Sequence, residues 1–510
     1  MRLRGLLAGI ALGIGMMNQD SIENIVASAE EATDVREIIR GSFSYKLGGK
    51  TPEDYAPRNH LRRELMKLKP GKKDNLVEKQ KEMLMWLNNL EEADKEKKTI
   101  ENYIRITKEL PEDEGKRLVE FYKPEEFFSL AKKSVLDTEA TKQFLTRERP
   151  NNSDDEVAEQ TYFKFMDAFA KYEMIEEEVR WSKERNRKPS WEMILIPGGE
   201  VIFGNGDKKN IEHLLDFAGW AANEQYANDP SMPRLIETAA NKHFISYLAI
   251  ESEFHEKKRV FNGGSFEIGR HEVRNKDFRK FLEENPEYEM PMYSGEFGNN
   301  PSRFKFDRAE KSFPEDSDDY PIVNITPDDM KAYAKWLSKK EGKEYSIPNE
   351  IQFESVSRSF DGREYVRGNR MPRYPHRGGQ SDDADLEKIM DLSLSAYGFE
   401  KTGKHAYDTS PLGAMDMMAN VAEIVTTEND PRPSLNENER NIAKKNDLRN
   451  YYLKAYAQKG VGAGFKDKKG YDVWKYFEVC QLQTRGSARE AIDRDQYFST
   501  LGGRLVRKLE

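Results

Sequence analysis

The chain has 510 residues, 34% of them charged and 37% hydrophobic, and 91 acidic side chains against 82 basic ones leave a formal net charge of -9. That length allows roughly two to four domains and a large core, and the mildly acidic balance gives no push toward nucleic acid or an anionic membrane surface. A single cysteine, Cys480, excludes an internal disulfide framework and any zinc site built from several cysteines.

Residues 1–29 read as a targeting segment. Arg2 and Arg4 form a basic start, Gly5 to Met17 is an apolar run too short for a comfortable membrane span, and Ala27-Ser28-Ala29 fits a small-x-small cleavage site. The polar stretch Asp20 to Asn24 lengthens the region before that site, so an uncleaved N-terminal anchor or a frayed cytosolic terminus is the other reading. The favoured reading predicts a secreted, periplasmic or membrane-anchored protein. Residues 30–188 carry helical periodicity with many Lys and Glu. Leu76, Met83, Leu84, Leu87 and Leu90 form one apolar stripe, and Tyr162, Phe165, Phe169, Tyr172 and Val179 form another. Pro70-Gly71, Pro111, Pro124 and the polar break Asn151 to Asp155 separate the helices. The expectation is a helical hairpin or bundle without chemistry, in contact with the membrane or with other envelope proteins.

A basic linker, Arg185 to Pro189, opens residues 189–510, where the period changes. Met193 to Ile196 and Val201 to Phe203 read as a hairpin of two short strands around a Gly-Gly turn. Gly204-Asn205-Gly206 lacks the Gly-Lys-Ser/Thr ending of a phosphate loop. An insertion at about 208–258 follows. Ile268 to Val273 is strand-like, Asn275 is a candidate cap for a helix over Lys276 to Glu284, and the lone His271 reads as a satisfied structural histidine. Thr326-Pro327-Asp328-Asp329 is a helix start with a hydroxyl cap, Pro at the first position and acids in the first turn. Met330, Tyr333, Ala334 and Leu337 face inward, and Gly342 stops the helix. Asn349 begins a second helix with Gln352 three residues later, a capping-box arrangement. In Ser410 to Val425 a tight loop at Pro411, Leu412 and Gly413 leads into an apolar run holding Asp416, Asn420 and Glu423. Asn420 and Glu423 are three apart, which suits either one side of a hard-cation site or a solvated turn. A charged insertion spans about 428–470.

The punctuation recurs in a fixed order: IPGGEVIFGNGD, SFEIGRHEVRNKDFRKFL, YPIVNITPDDMKAYAKWLSKKEGKEYSIPNEIQFESVSR, RGN, SPLGAMDMMANVAEIV, TRGSARE and LGGRLVRK. This order resembles the formylglycine-generating enzyme and sulfatase-modifying factor family. The resemblance implies an α+β fold, with a C-terminal formylglycine-generating-enzyme (C-type-lectin-like) domain preceded by an all-α helical region. Family members that oxidise a substrate cysteine need a pair of thiolates for copper after the motif seen here as Arg485-Gly486-Ser487. Ala488 to Asp495 holds no sulfur, so neither copper nor formylglycine chemistry is expected. A related branch uses a three-histidine iron site, and the seven histidines here include no closely spaced pair. The family's Gly-Asn-Val-Trp-Glu-Trp supports calcium. Asn420 and Glu423 match its Asn and Glu, whereas Ala419, Ala422 and Ile424 replace its Gly and both Trp, which leaves a structural calcium open as the one cofactor. Glu350 and Glu354 fall in scaffold positions. Arg485, Arg489 and Arg494, with Ser487, fall where the family lines its central groove. They are the ligand-binding candidates for a carboxylate or other anion, and a solvated surface cluster is the alternative. The resulting expectation is non-catalytic binding or scaffolding at the cell envelope or exterior, with a protein or surface ligand and no nucleic acid. The competing reading is a metal-dependent oxidoreductase with an unrecognised non-cysteine site.

Overall fold

The computed structural model describes residues 35–40, 52–71, 74–148, 154–204, 259–290, 296–297, 306–369, 399–418, 420–426, 497–498 and 501–509. The chain divides into two compact units, Met1–Pro189 and Ser190–Glu510. The targeting segment 1–29, the insertions at 208–258 and 428–470, and Cys480 lie outside the described residues. Among the described residues no helix is long and apolar enough to cross a membrane.

The first unit is helical, with α1 (Ala56–Met66), α2 (Leu76–Lys97), α3 (Thr99–Lys108), α4 (Glu112–Tyr122), α5 (Phe127–Leu136), α6 (Thr138–Glu148) and α7 (Asp154–Arg185). Local chemistry sets several of these ends. The Asn75 side chain accepts from the Val77 N–H at 3.0 Å and so caps α2. Lys98 and Lys123 take left-handed backbone conformations, φ 55° and 43°, that break α2 from α3 and end α4. The break at Lys98 is braced by Asp94, whose Oδ1 accepts from the Ile100 N–H at 3.1 Å and from the Tyr172 hydroxyl of α7 at 2.9 Å. Asp154, Asp155 and Glu156 open α7 against its N-terminal dipole.

The long α7 is the axis of this unit, and α2, α3, α5 and α6 all pack on it. Its predicted stripe, Tyr162, Phe165, Phe169, Tyr172 and Val179, is buried, and Trp86 of α2 meets Phe169 edge-on at 6.5 Å. α1 adds a contact of another kind. Arg58 and Arg62 are buried, and they reach Glu177 at 2.9 Å and Glu173 at 2.7 Å on α7. Apolar periodicity gives no sign of this face, because its acids read as solvated. Once such a pair is buried, losing one partner costs about 3–5 kcal/mol.

The second unit holds a four-stranded antiparallel sheet in the order β1 (Met193–Ile196), β4 (Phe266–Gly269), β10 (Val506–Lys508), β6 (Tyr345–Ser346). Ile268 pairs with both Ile194 and Val506, so the first and last strands flank β4. β2 (Gly199–Phe203) pairs with β3 (Arg259–Gly263). The expected hairpin is therefore corrected: both strands form, but β1 and β2 each find a distant partner. β5 (Glu296–Phe297) runs parallel to β8 (Tyr497–Phe498), and β7 (Ala422–Glu423) parallel to β9 (Leu501–Gly502).

Three helices, α8 (Asn275–Glu284), α9 (Pro327–Glu341) and α10 (Glu350–Arg358), complete the unit. Phe278 and Phe281 of α8 share a core with Met330, Tyr333 and Ala334 of α9, together with Leu501 and Leu505. The cap of α9 is as expected. The Thr326 hydroxyl accepts from the Asp329 N–H at 3.1 Å, Asp329 reaches back to the Thr326 N–H at 2.8 Å, and Gly342 ends the helix. Asn349 and Gln352 do the same for α10 at 2.8 and 3.0 Å. Asn275 departs from expectation. Arg274 occupies the cap position, and the Asn275 side chain instead donates to the Ser317 carbonyl at 3.0 Å. Asn275 thus ties down a loop and caps nothing.

Candidate functional site

Three separated segments bring the site together. The chain leaves the sheet after Gly269, so Arg270 to Val273 are not strand, and Glu272 is 2% exposed. The predicted tight loop exists: the Ser410 N–H donates to the Ala414 carbonyl at 2.7 Å and the Gly413 N–H to the Ser410 carbonyl at 2.9 Å. Beyond it Asp416 (φ 58°) and Asn420 (φ 73°) enter the left-handed region, an unusual conformation that Asp and Asn tolerate best among residues with side chains. The chain then enters β7, whose Glu423 pairs in register with Gly502 of β9. That parallel pairing sets Arg504, two residues on, against Glu423.

The Arg504 guanidinium is fully buried and lies in a shell of oxygen. Its Nε and Nη2 donate to the two Glu423 carboxylate oxygens at 2.7 and 2.5 Å, the bidentate arrangement that makes Arg–carboxylate bonds strong. Nη1 donates to the carbonyls of Gly269 at 3.2 Å and Arg270 at 3.3 Å. Nη2 also reaches the carbonyls of Met415 at 2.9 Å and Asp416 at 3.5 Å. The Phe353 ring of α10 lies 5.9 Å from the guanidinium carbon.

Two further acids stand beside this pair. Glu272 accepts from the Asn420 amide at 3.0 Å, and Asn420 in turn accepts from the Glu400 N–H at 2.9 Å. Asp416 accepts from the Gly403 N–H at 2.6 Å. Glu272 and Asp416 lie close enough for the charge of Asp416 to act on Glu272, and like charges this near disfavour ionising both. Burial first, and then the charges of Asp416 and Glu423, hold Glu272 well above the usual carboxylate range. Burial raises Asp416 to about 6, although the Gly403 N–H bond pulls the other way. Burial also raises Glu423, against the pull of Arg504.

His271 packs over the same loop. A side chain at Gly403 (φ +70°) would place its Cβ 2.5 Å from the imidazole Cε1, so glycine is required there. The imidazole is pushed down to about 3 by burial and by Arg270, Arg274 and Arg504, which keeps it neutral. Its Nδ1 is buried without a hydrogen-bond partner. His271 is thus a packed histidine, as expected, but not a satisfied one. Glu354 is structural in its contacts, accepting from the Gly204 N–H at 2.6 Å and pairing with Arg358.

The sequence candidates fare differently. Asn420 and Glu423 lie in one buried network but face different partners, Glu272 and Arg504. They do not fit calcium as they stand, because the cation against Glu423 is a guanidinium and the Asn420 oxygen already accepts a backbone N–H. Among the described residues no cluster of three or more His, Cys, Asp or Glu is arranged to hold a metal ion. Arg485, Ser487, Arg489 and Arg494 lie outside the described residues. Sequence reasoning gave no role to Glu272, Asp416 or Arg504, although each stood inside a quoted motif: EV, DM and the terminal GGR.

The profile of the sulfatase-modifying factor enzyme 1-like domain matches residues 178–509. The chain belongs to this family. Among solved structures it is similar to PvdO from Pseudomonas aeruginosa at 15% identity, over 62% of this chain and 94% of that one, with a TM-score of 0.34. A likeness at that level carries nothing about function. No curated protein matches the chain. Its membership in the sulfatase-modifying factor family explains why the quoted motifs keep their order, since three of them converge physically on Arg504.

Proposed function

We propose that this member of the sulfatase-modifying factor family is a non-catalytic binding or scaffolding protein of the cell envelope or exterior. One observation carries the reading: with Cys480 as its single cysteine, the chain cannot supply the thiolate pair that copper-dependent cysteine oxidation requires. The closure of the Arg504 network supports it. Glu272, Asp416 and Asn420 are 2%, 2% and 4% exposed, so these groups hold a frame and meet no substrate. The character of residues 1–29 supports export. Arg485, Ser487, Arg489 and Arg494 are the proposed contacts to an anionic group on a protein or surface ligand, and the helical unit is the proposed contact to other envelope components.

The test uses protein expressed without residues 1–29. Its redox-metal content is measured, and aldehyde formation is followed on a cysteine-bearing peptide with copper supplied. We expect no stoichiometric copper or iron and no aldehyde. Turnover, or a stoichiometric redox metal, would overturn the proposal and redirect attention to the histidines.

A further inference from the structure

The oxygen shell around Arg504 has the make-up of a hard-cation cage. Calcium takes six to eight oxygens from bidentate carboxylates and backbone carbonyls. The Arg504 guanidinium receives two carboxylate oxygens from Glu423 and four carbonyl oxygens, from Gly269, Arg270, Met415 and Asp416. Glu272 and Asp416 add anionic charge at the same place. These donors come from the exit of β4, the loop before Asn420 and β7, so the one cation joins three stretches of chain.

We infer that Arg504 is the built-in cation of this cage. The domain is stapled without a divalent ion, and loss of the Arg504 side chain would open a latent calcium-type site. Charge supports the assignment. Three ionised acids against one guanidinium would leave two negative charges buried, and burial accordingly holds Glu272, Asp416 and Glu423 above the usual carboxylate range, toward the neutral form that relieves that excess. A divalent ion would balance the same acids with less need of protonation. Geometry also explains why both cations cannot be present at once: the two oxygens of Glu423 are each engaged at 2.5 to 2.7 Å by the guanidinium.

The experiment compares melting of the wild type and of Arg504→Ala, Arg504→Lys and Arg504→Met, each with calcium, with chelator and with a low, non-denaturing concentration of guanidinium chloride. Calcium uptake is measured by calorimetry. For the wild type we expect no shift with calcium or chelator and no uptake. For Arg504→Ala we expect a lower midpoint that rises again with calcium or guanidinium, and Arg504→Lys should melt above Arg504→Met. Stoichiometric calcium binding by the wild type that is lost in Glu423→Gln would overturn the inference. So would equal melting of the Lys and Met variants, since charge would then not be what the cage requires. Should Arg504→Ala fail to fold, the wild-type titration and the Lys–Met comparison still decide the matter.

Discussion

Replacing Glu272 by glutamine tests the crowding of these buried acids directly. Burial moves Asp416 from the ordinary 3.8 up to about 6, and Glu272 is displaced in the same direction. A carboxyl whose folded pKa is raised binds its proton more tightly in the folded protein. Its contribution is fully present below the unfolded value and is lost as pH rises through the folded one. For Asp416 the two-unit displacement corresponds to about 3 kcal/mol of stability, lost between roughly pH 4 and pH 6 and absent above. In Glu272→Gln the side chain carries no titrating proton, while its oxygen still accepts from Asn420. One negative charge also leaves the network. The variant should match the wild type near pH 4 and exceed it at pH 8 by a large part of that amount. Hydrogen exchange in peptides spanning 399–418, measured across this range, reads the change where Asp416 and Gly403 sit. A wild type with flat protection from pH 4 to pH 7, or a variant less protected than the wild type at pH 8, would refute the reasoning.

Other substitutions probe the frame. Glu176 of α7 is raised by burial to about 7 against the pull of Lys97 and Arg58, so Glu176→Gln should stabilise the helical unit above pH 7 by about 3 kcal/mol and change little at pH 4, as read by denaturant melts. Gly502→Ala would set a Cβ 2.5 Å from the Ile322 carbonyl oxygen; we expect about 1–3 kcal/mol of destabilisation from overpacking, seen as a lower melting midpoint. Thr326→Ala removes the cap of α9 and should cost about 1 kcal/mol in the same assay.

What the sequence revealed follows the range of the forces involved. Both helix starts, at Thr326 and Asn349, were legible because each cap closes within three residues, and the stripe on α7 was legible because burial repeats with the helical turn. The partners of β1 and β2 were not, since a strand carries no mark of which distant strand it joins. Asn275 looked like a cap until the loop holding Ser317 supplied a better acceptor. At the site, the spacing of Asn420 and Glu423 drew attention to a segment that lies in the buried Arg504 network. It could not say that the cation is Arg504, 81 residues further on. The buried Arg58 and Arg62 were hidden for a related reason: local pattern assigns charged residues to the surface unless a partner is known.

The placement of β9, Arg504 and β10 also bears on how the unit assembles. Arg504 meets Gly269 across 235 residues of sequence, and Arg507 pairs with Glu267 across 240. Contacts this remote slow folding, because a long loop must close before they form. During synthesis the acids Glu272, Asp416 and Glu423 emerge well ahead of the one guanidinium that neutralises them, so their segments cannot settle until residues 501–508 arrive. The second unit is therefore expected to close in a single late step. A nascent chain halted before residue 504 would leave β4 with the edge that β10 covers unpaired and three acids with no cation, a form open to proteolysis, and one that quality control can tell apart from the finished protein.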